Sequence, residues 1–496
     1  MTNTPVRQRI ADIARLVPEE TALVDFDTEL AERALCWREL AEMTDDLVGS
    51  LRAISDGQDR PCVLVEASNT VHAAVDIAAV LAAELPLFPL NPAAPPPERA
   101  GIVSFLGRRF GRVYAMDSRH RPGLVELAKA ADAAPELRRE AAPAYLLATG
   151  GSSGLPKISM HRDPLGYHPG RTPRLAIRQT GWRPGQRQLI VGPLYHAAPF
   201  TAFLDALLDR NTTVLQPFFE PSWTVRLVAD QAIEWMQLTP THMRQILRLG
   251  PDRASFATIR AVLHTAARCD ADTKRGWIDL LGAHRLYELY GATEDIGATL
   301  VRGDEWLARP GTVGRGVLTQ IAIMDDNRRR VPPGTVGTVF MRSPGRPERR
   351  GYVDSRMPET TPDGFATVGD RGRVDRDGYL FLEPRTHDVI NVGGEKVDPN
   401  EVEAVVLGHP KVLDAVAVAV PHDVLGFVVG VHVMLKPSST MTTGELTAHC
   451  GRRLATHKLP KQVKFVDQIP RSASGKVQRW RLAASDKDGE RDASNR

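Results

Sequence analysis

The stretch that most limits the fold is residues 61–90. It reads as a short apolar strand (PCVLVEA), a helix-period run (TVHAAVDIAAVLAAE) and a second strand (LPLFPLN). Two strands joined through a helix run parallel, and a parallel sheet needs cover on both faces. This βαβ unit therefore predicts an α/β fold. A proline cluster at 92–97 then stops regular structure, and AYLLAT (144–149) reads as a buried strand. QLIVGPL (188–194), TVLQPF (213–218) and EWMQLT (234–239) are further strands separated by helical segments, and the alternation continues to about residue 300. At 496 residues the chain exceeds what one core usually holds, so two or more domains are expected.

From Val313 the texture changes to short strands with Gly and Asp turns (GRGVLTQIAIMDD, GTVGTVFMRS, GRVDRDGYLFLEP), as in a small antiparallel β subdomain. After Arg385 it changes again. DPNEVEAVVLGHP predicts a helix with Asp398 as N-cap, Pro399 at its first position and Glu401 at its third. DAVAVAVPH and VVGVHVMLK follow as strands and GELTAHCGRRLATH as a helix. The expected layout is a large domain over 1–386, a small α+β domain over 387–485, and a polar, disordered tail over 486–496.

Sixty-three basic residues face sixty acidic ones, and no Lys/Arg run concentrates the net charge of +3, so a dedicated nucleic-acid binder is not expected. Cys36, Cys62, Cys269 and Cys450 lie far apart with no CxxC pair, which predicts reduced thiols instead of a disulfide framework or zinc cage. The N-terminal residues lack a signal peptide's apolar core, and Val71–Leu90 is broken by Asp76, Glu84, Pro86 and Pro89. A cytoplasmic protein without membrane insertion is the expectation.

After AYLLAT comes Thr149-Gly150-Gly151-Ser152-Ser153-Gly154-Leu155-Pro156-Lys157. Glycines let successive N–H groups turn toward one anion, hydroxyls add donors and Lys157 adds charge, so a polyphosphate is the natural guest. The spacing fits neither a Walker A loop nor a dinucleotide fingerprint. A bland flexible turn is the competing reading, although it needs no Pro-Lys end. Gly150-x-Ser152-x-Gly154 also satisfies the nucleophile elbow of a hydrolase, which would need an acid and then a His downstream. His409, His422 and His449 are available, and nothing singles one out.

Five further motifs follow in order: PLYHAAPF (193–200), ELYGATE (288–294), FATVGD (365–370), PRTHDVINVGGEKVDPNEVE (384–403) and PRSASGKVQRWRL (470–482). With TGGSSGLPK they resemble the adenylate-forming (ANL) superfamily of acyl-CoA synthetases, adenylation domains and beetle luciferases, from about residue 60 to 482. The resemblance implies a large N-terminal domain of parallel α/β subdomains plus a small β subdomain, followed by a small mobile α+β domain.

It also implies roles. ATP would be bound by Thr149, Gly150, Gly151, Ser152, Ser153, Gly154 and Lys157, by the backbone at Ala266 and Ala267, and by Tyr290, Gly291, Ala292 and Thr293. Tyr290 would stack on adenine, Thr293 would reach the α-phosphate and Glu294 would offer Mg²⁺ a hard oxygen. Asp370 and Arg385 would hold the ribose. Lys476 would bridge the attacking carboxylate and the α-phosphate, stabilising two anions as they meet. His387 would be the hinge on which the small domain turns between half-reactions. The turn at Gly393, Gly394 and Lys396 would then pass the arm of coenzyme A. His387 departs from the family's usual Asp or Lys, Pro384 from its Gly, and Ile158 from a common Gly.

For the acid pocket the resemblance points to His196, which would gate the thiol tunnel unless it is a packed interior histidine, and to Ala197; Trp235 and His242 are candidate walls, with ordinary core the equal alternative. No acid stands near PLYHAAPF to hold an amino acid's ammonium. The resulting expectation is an acyl-CoA synthetase for a hydrophobic carboxylic acid, with a bulky polycyclic acid among the candidates. It would use ATP and CoA with Mg²⁺, and a homodimer stays open. The alternatives are an acyl- or aryl-AMP ligase loading a carrier protein, a non-catalytic nucleotide-binding relative, and the hydrolase.

Overall fold

The computed structural model describes residues 3–27, 29–55, 60–117, 123–129, 143–149, 157–162, 165–343, 350–352, 358–383, 389–393, 395–471, 477, 479 and 482. The chain divides into two compact units, Met1–Phe381 and Leu382–Arg496.

The βαβ unit forms as its pattern dictates. Strand Cys62–Glu66 pairs parallel with Leu87–Leu90, and helix Val71–Ala82 connects them. Thr70 caps that helix by accepting the Ala73 N–H at 3.2 Å. Apolar residues on nearly every side fit its place: it shares one core with Val63, Leu87 and Leu147 of its own sheet and with Ile190, Phe200 and Phe203 beyond it. Each fully buried Val or Leu there is worth roughly 1.5–3 kcal/mol. This sheet runs Arg350–Tyr352, Lys157–His161, Tyr145–Thr149, Leu87–Leu90, Cys62–Glu66, Arg112–Asp117, Gly123–Lys129, parallel in its centre.

A second sheet has a parallel centre of Thr21–Phe26, Thr212–Leu215, Arg187–Ile190, Trp235–Leu238, Ala261–His264 and Leu286–Gly291. The antiparallel strands expected after residue 313 exist, but they are not a detached sheet. Ala298–Arg302 and Thr312–Gly316 continue the same ladder from Leu286–Gly291 and lead on to Leu380–Leu382.

In the second unit, long strands Val412–His422 and Gly426–Leu435 pair antiparallel, and helices Pro399–Leu407 and Thr443–Gly451 share their core. Asp398 caps the first helix by accepting the Asn400 N–H at 2.9 Å. Glu401 does not reciprocate; both its oxygens take the Lys458 ammonium at 2.7 Å. The second helix stops at Gly451, short of the predicted run to His457. The four cysteines form no disulfide. Among the described residues no helix is long and apolar enough to cross a membrane.

Candidate active site

Parallel strands share a direction, so the loops after them open along one edge, where α/β sheets take their ligands. In the second sheet that edge gathers the segments after Ile190, Leu238, His264 and Tyr290. These contain His196, His242, Ala266 with Ala267, and the turn 291–294.

Tyr290 lies opposite Thr299, and Gly291 ends the strand opposite Ala298, where the chain comes back after a tight return. Gly297 is required in that return: a Cβ there would lie 2.5 Å from the Thr319 methyl. The Tyr290 hydroxyl donates to Asp370 Oδ2 at 2.6 Å, so two motifs eighty residues apart meet through side chains. Asp370 is 8% exposed, and its carbonyl accepts the Val339 N–H at 2.8 Å, which fixes the carboxylate from behind. A carboxylate has about four lone-pair sites, so Asp370 keeps capacity for further donors such as vicinal hydroxyls.

Lys157 opens strand Lys157–His161 opposite Thr149 in an antiparallel hairpin. A strand, not a helix, therefore follows the glycine loop, which removes the strand-to-helix turn that a nucleophile elbow needs. The Ser159 hydroxyl on this strand donates to the Thr293 carbonyl at 3.2 Å. That bond ties the hairpin to the 291–294 turn, bringing Lys157, Thr293 and the half-buried Glu294 into one neighbourhood. Among the described residues no group of three or more His, Cys, Asp or Glu could cage a metal. Mg²⁺ sites built from one carboxylate plus substrate phosphates and water need no such group, so Glu294 fits that mode.

Ala266 has φ 77°, a left-handed value that non-glycine residues adopt at a cost, directly after the Ala261–His264 strand. It and Ala267 are exposed at the common edge. His196 precedes helix Ala197–Leu208, and its Nε2 is buried with no hydrogen-bond partner among the described residues. Burial pushes the His196 imidazole down to about 4, so it is neutral near pH 7. His242 is likewise held neutral by burial, at about 4. Its ring lies 4.3 Å from that of Phe219, and its Nδ1 accepts the Thr239 N–H at 3.4 Å, a helix-capping contact.

Trp235 is not brought to this edge. It opens its strand at the opposite end, donates its indole N–H to Thr180 at 3.0 Å and packs edge-on against Trp182. Aromatic bulk alone suggested a pocket wall; the tryptophan is core. The Thr149 side chain, Gly150, Gly151, Ser152, Ser153, Gly154, Arg385, His387, Gly394 and Lys476 lie outside the described residues. Gly393, at φ 57°, donates its N–H to the Leu425 carbonyl at 3.0 Å, and Lys396 is exposed on strand Glu395–Val397.

One pair went unread in the sequence. Lys274 and Glu288 form an ion pair with side chains only 3% and 8% exposed, and the ammonium sits 4.9 Å from the Trp306 ring centre. Glu288 is two residues before Tyr290, hence on the same face of the strand. Burial raises the Glu288 carboxyl, and Lys274 opposes that rise.

The sequence model described as AMP-binding enzyme matches residues 10–352, and that of the AMP-binding enzyme C-terminal domain matches 401–476. A sulfoacetate–CoA ligase of Cupriavidus necator is 29% identical over 75% of the chain and 72% of its own length. An oxalate–CoA ligase of Saccharomyces cerevisiae is 32% identical over 60% of the chain and 56% of its own. A fatty acid–[acyl-carrier-protein] ligase of Streptomyces coeruleorubidus is 30% identical over 68% and 67%. Among solved structures, ATP-bound MatB of Rhodopseudomonas palustris superposes with TM-score 0.75 at 24% identity, covering 98% of the chain and 99% of its own. An anthranilate CoA ligase with anthranoyl-AMP gives 0.77 at 19% identity, covering 97% of each chain. These likenesses establish the fold.

Proposed function

The chain belongs to the AMP-binding enzyme family, within the ANL superfamily of adenylate-forming enzymes, and from that premise we propose that it activates a hydrophobic monocarboxylic acid as its adenylate and transfers the acyl group to coenzyme A. The observation that carries this reading is the convergence of three separated motifs through the Tyr290–Asp370 and Ser159–Thr293 hydrogen bonds.

In the first half-reaction a carboxylate oxygen attacks the α-phosphorus of ATP and pyrophosphate leaves. The glycine loop 150–154 and Lys157 hold the phosphates, Tyr290 stacks on adenine, Asp370 and Arg385 hold the ribose, and Thr293 meets the α-phosphate. Mg²⁺, held by Glu294 together with the triphosphate, would neutralise part of its charge. Lys476, from the second unit, lowers the repulsion between carboxylate and phosphate as they close. In the second half-reaction a thiolate attacks the acyl carbonyl and AMP leaves. The second unit turns about His387 and presents Gly393, Gly394 and Lys396 to the pantetheine arm.

Residues 192–198 and 239–243 carry no charged side chain, and His196 and His242 are neutral. Burying a second charge beside them without a partner would be costly, which favours an uncharged acyl chain over amino acids or dianions. Bulky polycyclic acids belong to that class.

Acid-dependent pyrophosphate release tests the proposal across aliphatic, aryl and polycyclic acids, amino acids and dianionic acids, with and without CoA. Release with apolar monocarboxylates, turning over faster with CoA, is expected. Release only with amino acids or dianions contradicts the substrate class, and no release with any acid favours a non-catalytic nucleotide binder. A second reading, transfer to a carrier protein, draws on the Streptomyces relative. It predicts that a phosphopantetheinylated carrier outcompetes CoA as acceptor.

A further inference from the structure

Asn69 lies just past the Cys62–Glu66 strand and is 4% exposed, yet no chemistry assigned so far uses it. Its carboxamide reaches into the second sheet. Nδ2 donates to the carbonyls of Gly192 and Gln216, both at 3.0 Å, with a longer contact to Ile190 at 3.5 Å. Oδ1 accepts the Leu194 N–H at 3.0 Å. One side chain thus holds the chain on both sides of Pro193, and the Pro193 carbonyl accepts the His196 N–H at 3.0 Å. Gly192 permits this course, since a Cβ there would lie 2.8 Å from Pro199 Cγ on the following helix.

We infer that Asn69 is a positioning residue for acid binding: it clamps the 192–196 turn of one sheet to the strand end of the other and so sets where His196 stands. This rests on the proposal that His196 borders the acid. A surface loop could be held by any packing, but a buried carboxamide that meets backbone donors and acceptors from two adjacent strand ends specifies one arrangement. The clamp's hydrogen bonds go to residues 190, 192, 194 and 216, whereas Tyr290 and Asp370, the proposed adenine and ribose groups, bond to each other, so acid and nucleotide binding should respond differently to its loss.

Asn69→Asp keeps the shape but turns an acceptor toward the Gly192 and Gln216 carbonyls, and the crowded carboxylate will be raised above its ordinary pKa near 4. Near pH 8 the acid KM should rise about tenfold, the scale of a lost buried hydrogen bond, with ATP affinity within about twofold of wild type. Near pH 5.5 the protonated carboxyl regains a donor, and part of the loss relative to wild type should return. Asn69→Ala should show the same KM split without recovery on acidification. A third readout needs no turnover: the His196 imidazole, followed by NMR in Asn69→Ala and assigned with His196→Gln, should move from about 4 toward its ordinary 6.5 as the turn loosens.

Melting curves establish that each variant is folded, and Asn69→Ser serves where Asn69→Ala is not. Acid and ATP affinities falling together, or an unmoved His196 titration with an unchanged acid KM, overturns the assignment. A wild type that releases no pyrophosphate with any acid defeats the functional proposal instead, and the His196 titration then decides the role of Asn69.

Discussion

Tyr290 donates its hydroxyl to Asp370 at 2.6 Å, joining the strand that ends in the YGATE turn to the turn that closes the antiparallel segment. The bond tethers the ring to the carboxylate that the proposed function assigns to the ribose. Asp370→Ala should therefore raise the KM for ATP by at least about tenfold, because bonds to a charged acceptor are worth ~1.5–3 kcal/mol each. Tyr290→Phe keeps the ring and should cost less. Initial rates against ATP at saturating acid check this, and equal effects of the two variants would contradict it.

Lys476 is assigned to the first half-reaction alone. Lys476→Ala should slow adenylate formation by roughly two to three orders of magnitude, the usual scale for losing a key electrostatic group. Conversion of a synthetic acyl-adenylate to thioester should change only a few-fold. The two rates, measured separately, carry the test; equal losses would remove the assignment.

The buried Lys274–Glu288 pair gives a stability prediction. Removing one partner leaves an uncompensated charge, so Lys274→Met or Glu288→Gln should each destabilise by about 3–5 kcal/mol. The double variant Lys274→Met/Glu288→Met should recover most of that in denaturant titrations. Additive losses would mean that the two side chains do not act as a pair.

Burial holds His242 at about 4 against an ordinary 6.5. Above about pH 6.5 both folded and unfolded chains keep it neutral, and its contribution is constant. As pH falls from about 6.5 toward 4, the unfolded chain binds a proton that the folded one refuses, so stability declines by on the order of 3 kcal/mol for this residue. His242→Gln should flatten that acid limb, as read from denaturation midpoints at several pH values. Parallel profiles would contradict it.

Much of this was legible in the residues. The βαβ pattern at 61–90 fixed a parallel sheet because the apolar run between its strands is too uniformly buried to suit a surface helix. The YGATE and VGD segments pointed to nucleotide chemistry through their ordered resemblance, with the other motifs, to the adenylate-forming superfamily. What periodicity could not show is which side chains cross between elements. Lys274 sits on an amphipathic helix, where a lysine ordinarily faces water, and only Glu288 on a neighbouring strand makes it interior. Asn69 reads as a loop residue ahead of a capped helix, since nothing local reveals carbonyls more than a hundred residues away. Trp235 misled for the converse reason: its strand reaches the site, but its own end of that strand does not.

The most direct test follows one oxygen. The acid, labelled with ¹⁸O in its carboxylate, is turned over with ATP and CoA, and the AMP is analysed by mass spectrometry. Attack of the carboxylate on the α-phosphorus, followed by loss of AMP to the thiol, leaves one labelled oxygen in AMP, and that is the predicted result. Unlabelled AMP, or label appearing in inorganic phosphate alongside ADP, would contradict the adenylate route.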